Sequence, residues 1–396
     1  MVAGDASAGA AGSRFEFATA QRIVFGCGTG RELPALAGAS GRRVLWVGGS
    51  NPRRHAGLLA SVEAAAELVH PIPVAGEPTV ALVEAGARLA RAERIEVVVA
   101  VGGGSVIDAG KAIAALATNP GAVLDYLEVV GRGRPLVAAP LPFIAVPTTA
   151  GTGAEATRNA VLSVPESKVK VSLRSAAMLP LVALVDPELA VGLPGAVTAS
   201  TGMDALTQLI EAYLSCRANP MTDALCRASI ARVARALPRA VAQPGDLAAR
   251  ADLALGALHS GMALANAGLG AVHGFAAPLG GMFSAPHGAV CAALLGSVLR
   301  ANLAALRARE PGSPVVERMA EVAAWLTGRA DAGPEQAASA CDRLAAELGI
   351  AGLSAWGIGG TEVGTIVAKA ASASSMKGNP IGLTAAELEA VLVAAL

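Results

Sequence analysis

The stretch VVVAVGGGSVIDAGKAIA, residues 97–114, decides the fold class of this chain of 396 residues. A Val-rich run comes first, then a glycine-rich segment, then apolar residues at helical spacing. This order predicts a buried strand, a tight turn and a helix. The glycines let a ligand approach the backbone, and the free N–H groups at a helix start attract phosphate. We therefore predict a diphosphate site, with a turn that binds nothing as the alternative; its candidate residues are Gly102, Gly103, Gly104, Ser105 and Asp108.

Strand-like and helix-like segments alternate through the first half of the chain. The candidate strands are residues 43–47, 95–101, 143–146 and 182–185, and the candidate helices are residues 52–69, 80–93 and 105–117. Short apolar runs bounded by glycine or proline are typical of parallel strands that are buried on both faces. The alternation predicts an α/β domain with ligand sites at the carboxyl ends of its strands.

After Asp186 and Pro187 the strand-like runs end, and Ala/Leu spacing of three and four residues continues almost to Leu396. That spacing is typical of helices. We predict three parts, namely a disordered tail at residues 1–14, an α/β dinucleotide-binding domain at 15–190 and an all-α metal and substrate domain at 191–396. The cleft between the two domains is the expected substrate site.

A second polar loop follows the candidate strand at 143–146. It contains Thr148, Thr149 and Thr152 together with two glycines. Hydroxyl donors on a flexible backbone at the same sheet edge as the glycine-rich turn would suit one dinucleotide. An ordinary turn before a helix is the alternative, because threonine and glycine are common in both.

The first candidate strand leads into Gly49 and then into Arg53 and Arg54. Sites that select NAD usually carry a carboxylate near this strand end, whereas a 2′-phosphate prefers arginine. With two arginines and no acid, the segment favours NADP(H) or the use of both cofactors. The alternative is that the arginines belong to a solvated helix start.

Composition excludes several classes of protein. Lysine plus arginine number 31 and aspartate plus glutamate number 31, so no net charge draws the chain to nucleic acid or to anionic lipid. No apolar run reaches the ~20 residues of a membrane helix. Five scattered cysteines without a CxxC pair indicate neither a disulfide framework nor a thiolate zinc site. We expect a soluble, cytoplasmic protein that binds neither nucleic acid nor membrane.

Asp204 and Gln208 stand four residues apart on one face of a candidate helix, and His273 and His287 follow in two His-Gly pairs. A carboxylate, an amide oxygen and two imidazoles could hold a divalent metal such as Fe(II), Zn(II) or Mn(II). The alternatives are hydrogen-bonded core histidines and a capping role for Asp204. Glu211 could replace a missing ligand, but an ion pair on the helix surface is the simpler interpretation.

Several of these blocks, in this order, resemble the iron-containing (group III) alcohol dehydrogenases, a superfamily that includes maleylacetate reductase and is distantly related to dehydroquinate synthase. The resemblance runs from about Phe15 to the C-terminus. The blocks that carry it are residues 102–114, 147–161, 182–189 and 202–206 and the two His-Gly pairs fourteen residues apart.

The resemblance implies a dehydroquinate synthase-like fold in which nicotinamide faces a metal held by one aspartate and three histidines. Asp204, His273 and His287 fall on three of these catalytic ligand positions, and Gln208 stands where the family usually has histidine. Ala277 replaces a further family histidine near the nicotinamide. Lys170 matches a lysine near the cofactor, and residues 102–105 with the three threonines match its phosphate and nicotinamide contacts.

By resemblance we expect a homodimeric enzyme that transfers hydride between NADP or NAD and a small alcohol, aldehyde or ketone. Iron is the expected metal and zinc the second choice. The apolar cleft residues are expected to be Leu269, Val272, Phe275, Met282 and Phe283. One alternative is a maleylacetate-reductase-like activity on an acidic oxo substrate. Another is a family member that binds the dinucleotide but has lost catalysis.

Overall fold

The computed structural model describes residues 14–167 and 169–396. Its strands are β1 (Arg22–Phe25), β2 (Arg43–Gly49), β3 (Leu68–Val74), β4 (Val97–Gly102), β5 (Phe143–Pro147), β6 (Asn159–Val164), β7 (Val169–Arg174) and β8 (Val182–Val185). Six strands form one parallel sheet in the order β1-β8-β5-β4-β2-β3. β6 and β7 form a separate antiparallel hairpin. The predicted tail lies, apart from Arg14, outside the described residues.

Four helices accompany the sheet: α1 (Leu33–Gly38), α2 (Ala56–Glu63), α3 (Val80–Ala92) and α4 (Gly104–Thr118). Alternate residues of each central strand belong to different cores. Leu45 and Val98 pack with α3 and α4, whereas Val44 and Val99 pack on the opposite face with α1 and α2. Every residue of β4 is buried, which explains why its sequence is a continuous apolar run.

The sequence predicted the four central strands but missed the others. Residues 52–69 are not one helix, because α2 ends at Glu63 and the edge strand β3 begins at Leu68. β3 contains Pro71 and Pro73, which an edge strand tolerates and which hid it from the sequence pattern. The short edge strand β1 and the hairpin were also missed.

The second half of the chain is helical. Its helices are α5 (Gly195–Leu214), α6 (Pro220–Ala242), α7 (Leu247–Ala267), α8 (Ala271–Met282), α9 (His287–Arg309), α10 (Val315–Thr327), α11 (Glu335–Glu347), α12 (Val363–Ser372) and α13 (Ala385–Ala395). They share one core, in which α5 is buried on every side from Gly202 to Leu214. A parallel sheet covered by helices, followed by an all-helical region, confirms the predicted fold class.

Among the described residues, one helix, α9, is long and apolar enough to cross a membrane. The pair α7 and α8 would also be long and apolar enough if the two formed a single span. A bend of 101° separates α7 from α8. Most of the apolar stretch of α9 is buried against other parts of the protein. Its composition is therefore that of a core helix of the helical half.

The two halves meet through the loop that follows β5. Gly153, whose φ is +59°, lies against α7 so closely that a Cβ there would come within 2.5 Å of the backbone of Gly261. A Cβ on Gly261 would lie 2.1 Å from the carbonyl oxygen of Gly153. The hydroxyl of Ser260 also lies 3.3 Å from the carbonyl oxygen of Gly151. This contact leaves no room for a side chain at either glycine.

We predict that Gly261→Ala lowers the free energy of unfolding by about 3 kcal/mol, because one methyl group must push the loop away from α7. Gly364→Ala is the matched control, since Gly364 is also helical but faces open space. The control should be neutral or more stable by about 0.5–1 kcal/mol. Denaturant unfolding measures both, and equal stability of the two variants would contradict the tight contact.

Candidate active site in the cleft between the halves

The sheet places the predicted phosphate-binding turn at a topological switch point. The chain leaves β2 toward β3 on one side and returns to β4 on the other, so the carboxyl ends of β2 and β4 flank a crevice. Gly49 ends β2 beside open space, and α4 begins at Gly104 after β4. The free N–H groups at the start of α4 therefore lie at the edge of the sheet where an α/β fold binds its ligand.

The second polar loop packs against this turn. A Cβ on Gly104 would lie 2.7 Å from the hydroxyl oxygen of Thr152, and one on Gly103 would lie 3.4 Å from that of Thr149. The amide of Thr148 donates to the carbonyl oxygen of Gly102 at 2.9 Å. The two loops that the sequence assigned to one ligand are thus neighbours in the structure.

Lys111 fixes the second loop to α4. Its buried ammonium group donates to the carbonyl oxygens of Ala154, Thr157 and Asn159 at 2.8, 2.9 and 2.8 Å. It also lies 3.0 Å from the hydroxyl of Thr157. Burial lowers the pKa of Lys111 to about 8, so the ammonium form persists at neutral pH. The loop conformation therefore depends on one buried positive charge.

Asp108 and Lys170 have protein partners of their own. The carboxylate of Asp108 accepts a hydrogen bond from the amide of Val161 at 3.0 Å, and burial raises its pKa to about 6. Lys170 on β7 pairs with Glu77 at 2.9 Å. Its Nζ would lie 3.3 Å from a Cβ on Gly280 of α8, so this lysine stands between the hairpin and the helical half. Cofactor contact by either residue stays a prediction.

Four side chains from three helices converge in the helical half. Nε2 of His273 lies 3.2 Å from Oδ1 of Asp204, and Nε2 of His287 lies 3.7 Å from the same oxygen. Sγ of Cys291 lies 3.8 Å from Nε2 of each histidine. One donor atom from each of the four residues lies within 4.8 Å of all the others, which is a spacing that suits a metal ion.

Close packing of the helices produces this convergence. A Cβ on Gly288 would lie 2.0 Å from the carbonyl oxygen of Ser200, so the first turn of α9 lies directly on α5. Asp204 is one turn beyond Ser200 on α5, and His287 opens α9. The absence of a side chain at Gly288 therefore brings the carboxylate and the imidazole together.

Glu211 on α5 orients α8, the helix that carries His273. One carboxylate oxygen accepts from the amide of Val272 at 2.7 Å, and the other lies 2.6 Å from Nδ1 of His273. Glu211 is buried, so its interpretation as a surface ion pair is wrong. It fixes the ring so that Nε2 faces the cluster, a role that carboxylates commonly have behind metal-binding histidines.

The cluster carries opposite charges in a buried place. Burial opposes ionisation of Asp204 and of Cys291, yet the two imidazoles hold the pKa of each below its usual value. The Cys291 thiolate, followed by Asp204, raises the pKa of His287 to about 9. The carboxylate of Asp204 and the thiolate of Cys291 would likewise attract a divalent cation.

Gln208 stands on α5 one turn after Asp204 and is buried. Its Oε1 lies 2.9 Å from the hydroxyl of Ser260, which in turn lies 2.8 Å from the carbonyl oxygen of Ala257. One end of the carboxamide is thus engaged by α7 at the contact between the two halves. That engagement competes with its predicted role as a metal ligand.

Sequence reasoning missed Cys291, although a signal was present. His287 and Cys291 stand four residues apart on α9, the same spacing that singled out Asp204 and Gln208. All five cysteines are free, as their spacing indicated. The expected apolar lining is partly wrong, because Val272 and Phe275 are fully buried in the helical core. His259 lies outside the cluster, partly buried on α7, with its Nδ1 2.7 Å from the hydroxyl of Ser229.

Two family models match nearly all of this fold. Residues 20–187 match the model of iron-containing alcohol dehydrogenase, and residues 198–396 match the C-terminal model of the Fe-containing alcohol dehydrogenase family. The chain belongs to the iron-containing alcohol dehydrogenase family. This confirms the resemblance on which the expected site residues were based.

Relatives in this family share both sequence and structure with the chain. It is 43% identical to 1,3-propanediol dehydrogenase of Klebsiella pneumoniae over 265 residues, which cover 67% of the chain and 66% of that relative. The match thus spans just under two thirds of that relative's length. A crystal structure of a 1,3-propanediol oxidoreductase covers 97% of the chain and 100% of its own with a TM-score of 0.88 and 33% identity. Sulfoacetaldehyde reductase from Bifidobacterium kashiwanohense, solved with NAD+, matches with a TM-score of 0.85 at 28% identity, over 97% of this chain and 99% of its own.

We predict that Lys111→Met lowers the free energy of unfolding by about 2–4 kcal/mol, because the buried carbonyl oxygens of the loop lose their donor. Lys369→Met is the matched control, since Lys369 is an exposed lysine on α12. Denaturant unfolding compares the two variants with the parent chain. If Lys111→Met were as stable as the control, Lys111 would not hold the loop.

Proposed function

We propose that the chain is an NAD(P)(H)-dependent alcohol dehydrogenase, or an aldehyde or ketone reductase, with a divalent metal in the cleft between its two halves. The observation that carries the proposal is the cluster of Asp204, His273 and His287. One of the helices that carry it, α5, packs against the loop following β5, since a Cβ on Gly151 would lie 2.8 Å from Cβ of Thr201. The same loop contacts the glycine-rich turn that is predicted to bind phosphate. Hydride transfer requires the nicotinamide and the group that polarises the substrate oxygen to lie next to each other.

The residues present suit both expected groups. A carboxylate and two imidazole nitrogens are ligands that iron and zinc accept, and Glu211 already fixes one imidazole ring. The start of α4 offers free N–H groups beside the crevice, where a dinucleotide phosphate would bind. The threonine-rich loop adds hydroxyl groups at the same edge.

Asp204, His273 and His287 would hold the metal, which would polarise the substrate oxygen, and a bound nicotinamide would exchange hydride with the adjacent carbon. The residues of the chain set the geometry. Asp204 and His273 are almost fully buried, whereas the side chain of His287 is 38% exposed. The substrate therefore approaches the cluster from the side of His287. Asp204 also places a fixed negative charge against both imidazoles.

The residues around the end of α8 favour a small, weakly polar substrate. Ala277 is exposed one turn after His273, so a methyl group stands where the family often has a further histidine. Met282 and Phe283 are half-buried at the end of α8. A short alcohol, aldehyde or ketone fits these surroundings, in keeping with the propanediol dehydrogenases among the relatives.

Cofactor choice, assembly and location complete the proposal. Arg53 and Arg54 are exposed after β2, and no acid stands between them and the end of the strand, which favours NADP(H) or the use of both cofactors. A homodimer in the cytoplasm without nucleic-acid or membrane partners is the state we propose from the family resemblance and the balanced charge. Iron is the metal that the family name suggests.

We predict that Asp204→Asn abolishes alcohol oxidation and lowers metal content at least about tenfold, because the cluster loses an anionic ligand. The measurement is elemental analysis paired with nicotinamide reduction on short alcohols. Asp252→Asn is the control, since Asp252 is a helical carboxylate that pairs with Arg232 on the surface. Undiminished turnover in Asp204→Asn would show that the metal takes no part in the reaction. If the parent chain turned over no alcohol and no aldehyde, the proposed function would be overturned.

We predict that the double variant Arg53→Gln, Arg54→Gln lowers kcat/KM for NADPH about tenfold while changing that for NADH less than twofold. Two guanidinium groups near the crevice attract the additional phosphate of NADPH. Arg42→Gln is the control, because Arg42 is exposed at the opposite end of β2. Equal losses with both cofactors would show that these arginines do not select the phosphate.

A further inference from the structure

The geometry points to Cys291 as a metal ligand, so that the metal of this chain is held by Asp204, His273, His287 and Cys291 rather than through Gln208. This inference rests on the proposed function only in taking the cluster as a metal site. It names a ligand that neither the sequence pattern nor the family resemblance supplied. It also changes the class of metal that the site prefers.

Four of the six distances between donor atoms lie within about 0.3 Å of those in a tetrahedral set, and the other two are at most 4.8 Å. Bonds of about 2.1 Å to nitrogen and about 2.3 Å to sulfur place those two ligand atoms about 3.6 Å apart at a tetrahedral angle. Sγ of Cys291 lies 3.8 Å from Nε2 of both His273 and His287. Two oxygen or nitrogen ligands would be about 3.4 Å apart, and the two distances from Asp204 are 3.2 and 3.7 Å.

The helix positions make Cys291 a rigid donor. It is fully buried one turn after His287 on α9, so both side chains project from the same helical face toward Asp204. Gly288, between them, holds this face against α5. A metal ion centred among the four atoms would therefore require little movement of the backbone.

Gln208 is the weaker candidate for the fourth position. Its carboxamide is engaged by Ser260, whose hydroxyl lies at the contact between the two halves. An amide oxygen is also a poorer ligand than a thiolate for zinc and other borderline-soft metals. Coordination by Gln208 would require its Oε1 to be shared with or withdrawn from the Ser260 hydroxyl, whereas Sγ of Cys291 already lies 3.8 Å from both imidazole nitrogens of the cluster.

A thiolate in the set favours zinc over iron(II). Soft sulfur ligands select Zn(II), whereas a set of one carboxylate and three imidazoles has no such preference beyond the general order of affinities. We expect protein purified without chelator to contain zinc. We also expect Cys291→Asn to reduce the ratio of zinc affinity to iron(II) affinity about tenfold.

The test is spectroscopic and needs neither alcohol nor nucleotide. Metal is removed from the full chain with chelator, and Co(II) or Zn(II) is added back. We expect a thiolate-to-cobalt charge-transfer band in the near ultraviolet and, in X-ray absorption of the zinc form, one sulfur neighbour at about 2.3 Å. Cys291→Ala should lose both signals and bind metal at least about tenfold more weakly. Gln208→Ala should keep both.

Cys27→Ala is the control, because Cys27 is exposed and stands outside the cluster. Circular dichroism checks that Cys291→Ala is folded, and the sulfur neighbour in the parent protein tests the assignment without any variant. The assignment would be overturned if the metal in the parent protein had only nitrogen and oxygen neighbours. It would also be overturned if Gln208→Ala lost the metal and Cys291→Ala kept it. Failure to bind any added metal would overturn it as well.

The outcome is separable from that of the proposed function. A parent protein that shows the sulfur signature but oxidises no alcohol and reduces no aldehyde leaves the ligand assignment standing and overturns the proposed function. If the parent protein turns over substrate but its metal has only nitrogen and oxygen neighbours, the proposed function stands and the assignment of Cys291 as a ligand is overturned.

Discussion

The contact between the backbones of Gly153 and Gly261 sets the distance between the two halves of the molecule. It brings the loop after β5 onto α7, where the Ser260 hydroxyl stands beside Gly151 and Gln208. The opposite side of the same loop is held by Lys111 and contacts the glycine-rich turn at residues 102–104. The loop after β5 therefore contacts the glycine-rich turn on one side and α7, which carries Ser260, on the other. A side chain at either glycine would separate the two parts of the proposed site.

The second constraint is electrostatic. Asp204, Glu211, His273 and Cys291 are buried together, and isolated charges in such a place would cost several kcal/mol each. Each anion therefore faces an imidazole, and Glu211 satisfies a helix N-terminal amide as well. The pairing holds the donor atoms close to one another. Removing one partner would leave the others uncompensated, which makes the cluster intolerant of single substitutions.

The sequence predicts an element well where burial alone sets its residue pattern, and poorly where a second constraint also shapes that pattern. β2, β4 and β5 are continuous apolar runs because both faces are buried, and they were recognised. β3 is an edge strand with two prolines, so its pattern resembled a loop or the end of a helix. In the helical half, spacing gives helices but not the face that each one buries. Glu211 on the all-round buried helix α5 was therefore placed on the surface.

The candidate site was predictable in part for the same reason. Asp204, His273 and His287 carry unusual side chains in an Ala-rich background, and the resemblance assigned them roles. Cys291 was passed over because cysteine spacing was considered among cysteines and not against His287. Its presence has a chemical consequence. With a divalent cation, Asp204 and a thiolate leave no net charge, whereas one carboxylate and three imidazoles leave one positive charge. The neutral set polarises an oxygen ligand less strongly, so the exchange of histidine at position 208 for a thiolate from α9 weakens the Lewis acid while it favours zinc.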